Sequence, residues 1–237
     1  MFKAKFKNII KKILYKKDKN VFVNKNGTEF EVNNWILSEF VVREIIPIVK
    51  FHPFPLNELM LMSAAVCFIK PTYIFEWGTH FGKSARIFYE TAHYFNIQTE
   101  IHSIDLPENI EHNEHPHKER GKFVKHIKKV HLHLGDGMDT SLGILKESKN
   151  EKIIPLFFLD GDHSYESVKR ELNGIFDQYP QSNILIHDTF LQSEKSGYNI
   201  GPYEAIEEFL KDKKDKFTLI DTKTGLPGMT LLLNKKI

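Results

Sequence analysis

The chain has 237 residues, 41% hydrophobic and 27% charged, a balance that excludes disordered and fibrous classes and leaves material for a buried core. Its net charge of +2 hides an asymmetry that argues against a nucleic-acid binder: eight lysines against Asp18 crowd the first twenty residues, and the remainder is acidic, with no aromatic stacking platform beside the basic tail. No apolar run reaches the roughly eighteen residues of a membrane-spanning helix, and the lone Cys67 cannot form an internal disulfide, which fits a reducing, cytoplasmic setting.

The opening segment, MFKAKFKNIIKKILYKKDKN, places Phe2, Phe6, Ile9, Ile10 and Ile13 on one helical face with lysines over most of the rest. Residues 1–20 therefore read as a basic amphipathic helix, suited either to packing on its own domain or to peripheral contact with an anionic membrane at its cytoplasmic face. Residues 21–70 read as a helical cap region, in which 21–55 give mixed signals and Leu56–Ile69 forms a buried helix.

From residue 71 to 237, short apolar strands alternate with helical patterns, the signature of a mostly parallel sheet with crossover helices. Strands are expected at Tyr73–Trp77, Glu100–Asp105, His131–Leu134, Leu156–Asp160, Asn183–His187, Lys216–Asp221 and Met229–Asn234, the last two as an antiparallel hairpin. Helices are expected at Ser84–Asn96, Met138–Ser148, Tyr165–Phe176 and Pro202–Lys211. His112, His115 and His117 fall in a long connection after Asp105, while His131 and His133 share one strand face and receive no site.

Ligands of open parallel sheets bind beyond the carboxyl ends of the strands. The first strand ends YIFEWGTHFGKS: Glu76 at its tip, Gly78 and Gly82 in the turn, Ser84 opening a helix whose free amides suit a carboxylate or phosphate. Asp105 ends the second strand, where an acid would grip ribose hydroxyls, and Asp136 with Gly137 follows the third. LFFLDGDH and ILIHDT end side by side if their strands are neighbours, gathering Asp160, His163, His187 and Asp188. Two such carboxylates repel unless a cation sits between them or one holds a proton, and Asp162 reads as a turn or cap residue.

Taken together, EWGTHFGKS, Asp105, GDG at 135–137, LDGDHSYESVKREL, LIHDT and NIGPYEAIEEFL resemble class I S-adenosylmethionine-dependent O-methyltransferases, in the branch with rhamnosyl and macrolide-sugar O-methyltransferases and cephalosporin-hydroxylase-like proteins. The resemblance spans roughly residues 70 to 237. It implies a Rossmann-like seven-stranded sheet with helices on both faces. It also implies that Glu76, Gly78, Gly82 and Ser84 hold the methionine part of the cofactor, Asp105 the ribose, and Asp136 and Gly137 the adenine. Asp160 and Asp188 would ligate a divalent metal, Mg²⁺ or Mn²⁺, with His187 as third ligand at a position that is an acid in some relatives, and His163 would be the general base. The expected acceptor is a sugar hydroxyl of a surface glycan or glycosylated metabolite. A nicotinamide-dinucleotide oxidoreductase, disfavoured by the G-x-x-x-G spacing, and a non-catalytic interaction protein are the competing readings.

Overall fold

The computed structural model describes residues 30–110, 117–191 and 198–236. The basic segment 1–20, residues 21–29, and His112 and His115 of the histidine-rich connection lie outside them. Seven strands, β1 (Tyr73–Trp77), β2 (Glu100–Asp105), β3 (Val130–Leu134), β4 (Pro155–Leu159), β5 (Asn183–His187), β6 (Phe217–Asp221) and β7 (Met229–Asn234), form one sheet in the order β3-β2-β1-β4-β5-β7-β6. Neighbours from β3 to β5 are parallel, and β7 runs antiparallel to both β5 and β6. The chain builds outward from β1 to β3, returns, and continues from β4, so the strand order reverses between β1 and β4. That reversal opens a crevice at the carboxyl ends.

Strands β1, β4 and β5 are buried at every position, as parallel strands covered on both faces must be. One face packs Ile74, Phe158, Leu185 and Leu231 against α1 (Asn34–Phe40), α2 (Ile46–Val49), α3 (Leu56–Ile69) and α4 (Lys83–Tyr94). The other packs Phe75, Phe157, Ile184 and Leu232 against α5 (Gly137–Glu147), α6 (Tyr165–Gln178) and α7 (Gly201–Leu210). Expected and observed boundaries coincide or differ by at most two residues; Asp160 is the first residue beyond β4 rather than its last.

The region with mixed sequence signals is helical from Asn34 to Val49, with a π-helical turn at Val41–Ile45 between α1 and α2. Its β-branched run VVREIIPIV contains Pro47, which supplies no backbone donor, and the widened turn lies just before it. Asn33 caps α1 by accepting from the Ile36 amide at 3.2 Å. α3 is apolar on all sides and buried accordingly. Its acidic residue, Glu58, is 0% exposed.

Candidate active site

β1 delivers Glu76 and Trp77 to a turn through Gly78 (φ 99°) and Gly82 (φ 79°), left-handed conformations that favour glycine. Space demands glycine too: a Cβ on Gly78 would lie 2.2 Å from the Asp160 carbonyl oxygen. This contact presses the turn against the end of β4. Glu76 is fully buried; its Oε1 accepts the Ser84 hydroxyl, and its Oε2 has no hydrogen-bond partner among the described residues. Burial pushes Glu76 up to about 8, against the opposing pull of the Ser84 hydroxyl. A buried carboxyl with one open oxygen beside a helix N-terminus suits a ligand carrying an ammonium and a carboxylate, as the amino-acid end of S-adenosylmethionine does.

Asp105 joins the same hollow from β2: Oδ2 accepts the His80 amide of the glycine turn at 3.2 Å and faces Arg120 Nε at 3.2 Å, while Oδ1 accepts the Leu106 amide at 2.9 Å. Asp136 caps α5 through the Asp139 amide at 2.9 Å and pairs with Arg170 at 2.6 Å. Burial favours its neutral form, but Arg170 and the Asp139 amide hold the carboxyl below its ordinary value. Gly137 lies flat on Trp77, where a Cβ would approach the indole to 2.4 Å. Trp77 is buried and donates Nε1–H to Ser141 Oγ at 2.8 Å.

The ends of β4 and β5 bring Asp160, His163, His187 and Asp188 together. His163 Nδ1 lies 2.6 Å from Asp188 Oδ2 and its Nε2 3.6 Å from Asp160 Oδ1. His187 Nδ1 faces Asp160 Oδ1 at 2.8 Å and Asp188 Oδ2 at 3.7 Å. Burial alone would lower His163, yet its hydrogen bonds to Asp160 and Asp188 and their charges raise it to about 10. Burial would likewise raise Asp160, but His187 and His163 hold it at about 2. His187 stands well above its ordinary value against the effect of burial, because Asp160, Glu58 and Asp188 surround it. Asp188 adopts φ 57°, an uncommon conformation for a residue with a side chain, at the point where it turns its carboxylate into the cluster.

Asp162 behaves as a turn residue: its carboxylate accepts the Ser164 amide at 2.9 Å and hydroxyl at 3.1 Å, and Ser164 caps α6. The motif before α7 holds the catalytic candidates from behind. Tyr198 donates its hydroxyl to Asp188, Asn199 donates its amide to the His163 carbonyl, and a Cβ on Gly201 would lie 2.7 Å from that same carbonyl oxygen. Glu58 was not expected among the site residues. Its Oε2 lies 3.0 Å from His187 Nε2, on the side of the ring away from Asp160. The only signal for it in the sequence is an acid inside the apolar run LNELMLMSAAVCFI. On β2, His102 also joins a stacked ladder that sequence spacing could not reveal, with Phe75, His131 and His133 at ring centroids 5.3, 4.9 and 5.2 Å away.

One ligand atom each of Asp160, His187 and Asp188 can be chosen within 4.8 Å of one another. Two carboxylate oxygens and an imidazole nitrogen form a donor set that fits a divalent cation.

The family model described as Rhamnosyl O-methyltransferase/CmcI matches residues 43–227. Among solved structures, the S-adenosylhomocysteine-bound methyltransferase PaMTH1 of Podospora anserina is 18% identical, with a TM-score of 0.54, over 84% of this chain and 86% of that one. An O-methyltransferase from Bacillus cereus in complex with S-adenosylhomocysteine is 13% identical, with a TM-score of 0.56, over 84% and 90%. CalS11, a TDP-rhamnose 3'-O-methyltransferase of calicheamicin biosynthesis, is 20% identical, with a TM-score of 0.53, over 82% and 86%. At these identities the structural likeness speaks for the fold. No curated protein matches the chain in sequence.

Proposed function

The chain belongs to the rhamnosyl O-methyltransferase/CmcI family and is an S-adenosylmethionine-dependent O-methyltransferase, and on that premise we propose that its acceptor is a sugar hydroxyl and that a divalent cation assists the transfer. The observation that carries this reading is His163: Asp188 engages its Nδ1 at 2.6 Å, while its Nε2 has only a long 3.6 Å contact with Asp160 Oδ1. A nucleophile's proton needs a base oriented in this way, with one ring nitrogen held firmly and the other only loosely engaged.

In the proposed reaction, Glu76 Oε2 receives the cofactor's ammonium, the free amides at the start of α4 its carboxylate, and Asp105 the ribose hydroxyls. The acceptor oxygen attacks the sulfonium methyl carbon in line as the carbon–sulfur bond breaks, leaving neutral S-adenosylhomocysteine. The hydroxyl proton passes to His163 Nε2. Asp188, held by Tyr198, keeps the imidazole in place and stabilises the imidazolium that forms. Asp160, Asp188 and His187 would hold the cation, which when bound lowers the hydroxyl pKa and offsets the two carboxylate charges that otherwise keep His163 protonated. Holding oxygen, carbon and sulfur in line accounts for much of the remaining acceleration.

A sugar acceptor is supported by the family's description and by what CalS11 is named for. The eight lysines of residues 1–20 support peripheral contact with an anionic membrane, where a lipid-linked acceptor would be found. Among the described residues no helix is long and apolar enough to cross a membrane. The oxidoreductase and non-catalytic readings give way to the family match.

The test is transfer of labelled methyl from S-adenosylmethionine to a panel of nucleotide sugars, glycans and catechols, with and without EDTA. Labelled sugar that disappears with EDTA and returns with Mg²⁺ or Mn²⁺ is expected. Transfer to catechols alone would remove the sugar assignment, and EDTA-insensitive transfer would remove the cation.

A further inference from the structure

Glu58 is a fully buried acid supplied to the site by a helix, whereas the other carboxylates come from strand ends. Both its oxygens are committed: Oε1 accepts the Gly228 amide at 2.8 Å, and Oε2 faces His187 Nε2 at 3.0 Å. The His187 ring also packs against Phe54, edge-on at 4.9 Å, with Phe158 tilted toward it at 6.5 Å between centroids. Gly228 is itself closely packed, at φ 85° with Phe190 N 2.6 Å from where a Cβ would be.

The two sides of the His187 ring differ. The Glu58 side is closed and pinned, while on the other side Asp160 Oδ1 is shared between His187 and His163 and its side chain keeps 15% exposure. A cation held by Asp160 and Asp188 would replace the Nδ1···Asp160 contact and leave the Nε2···Glu58 contact in place. Ligating histidines elsewhere are oriented in this way, donating the nitrogen away from the metal to a carboxylate.

Building on the cation-assisted reading, we propose that Glu58 is a positioning residue that holds the His187 proton on Nε2 when a cation displaces the proton of Nδ1 to solvent, so that the Nδ1 lone pair completes the donor set with Asp160 and Asp188. The centre thereby gains an imidazole ligand and prefers a borderline transition ion to Mg²⁺. Magnesium favours all-oxygen shells, whereas imidazole strengthens binding of Mn²⁺ and, more so, Co²⁺.

Calorimetric titration of the full chain with Mg²⁺, Mn²⁺ and Co²⁺ in the presence of S-adenosylhomocysteine tests it. The unmutated protein should bind Co²⁺ at least about a hundredfold more tightly than Mg²⁺, and His187→Glu should narrow that ratio at least tenfold. Glu58→Gln, whose amide can donate to Nε2 and so favour the wrong tautomer, should weaken Co²⁺ binding by about 10–100-fold while S-adenosylhomocysteine still binds. Unchanged Co²⁺ affinity in a folded Glu58→Gln protein, or an unchanged ratio in His187→Glu, overturns the inference and leaves the cation reading standing. Absence of cation binding by the unmutated protein overturns both. Should Glu58→Gln not fold, ¹⁵N-histidine NMR of the unmutated protein with Cd²⁺ decides: cadmium on Nδ1 with the proton retained on Nε2 supports the inference, and cadmium on Nε2 or on no histidine overturns it.

Discussion

His163 Nδ1 lies 2.6 Å from Asp188 Oδ2, joining the loop after β4 to the first residue beyond β5. The contact exists because β4 and β5 are parallel neighbours in register from Leu156↔Asn183 to Leu159↔Ile186, so their carboxyl ends finish at the same level. Tyr198 and Asn199 then fix one partner each, so the pair is tied to α7 as well as to the sheet.

Replacing the base tests that geometry directly. His163→Gln keeps a polar side chain but cannot carry the proton, so kcat should fall by about 10²–10⁴-fold. Affinity for S-adenosylhomocysteine, measured by calorimetry, should stay within a factor of about two to three, since His163 is assigned to the acceptor's proton and not to the cofactor. A kcat that barely moves would strip His163 of its role.

Glu76 makes cofactor binding depend on pH. Its burial holds the carboxyl at about 8, so below that pH it carries a proton that an incoming ammonium must displace. Affinity for S-adenosylhomocysteine should therefore rise from pH 6 toward pH 8, and Glu76→Gln should bind more weakly with a flat profile. Titration calorimetry at several pH values reads both; a wild-type profile as flat as the variant's would place the ammonium elsewhere.

His102 should make stability fall in mild acid. Burial, helped by its neighbours His131 and His133, lowers it from 6.5 to about 4. Between those values the unfolded chain binds more protons than the folded one, so stability is fully present above about 6.5 and is lost as pH falls toward 4. Urea unfolding at pH 7 and pH 5 should show this loss, and His102→Phe, which can keep the stack with Phe75, should reduce it. Equal losses in both proteins would assign the acid sensitivity to other groups.

Gly78→Ala combines an unfavourable φ with a Cβ 2.2 Å from the Asp160 carbonyl. Strain and overpacking together should cost about 2–4 kcal/mol, read as a lowered denaturation midpoint. In any folded fraction, displacement of Asp160 should weaken cofactor and cation binding together. A variant as stable as the parent would mean that the turn and β4 do not meet as described.

Chain order and pattern made much of this legible in advance. Strand-final acids, the glycine turn and the helical rhythm after Tyr165 are local features, and parallel topology obliges such strand ends to line one edge. The helical segment Asn34–Val49 is obscured in the sequence by its β-branched residues and Pro47, which imitate a strand, whereas the chain meets the proline with a π-helical turn just before it. The β2–β3 histidine stack was hidden because sheet register, not sequence spacing, places His102 between Phe75 and His131.

Glu58 marks the boundary between the two kinds of information. Periodicity and the residues near strand ends make the alternating architecture, the family motifs and the candidates Asp160, His163, His187 and Asp188 readable from the chain alone. That an acid in an apolar helix meets His187 across 129 positions of chain follows only from the folded packing. The physical reason is packing: α3 has no polar face of its own, so its charge acquires meaning only from the surface against which it is buried.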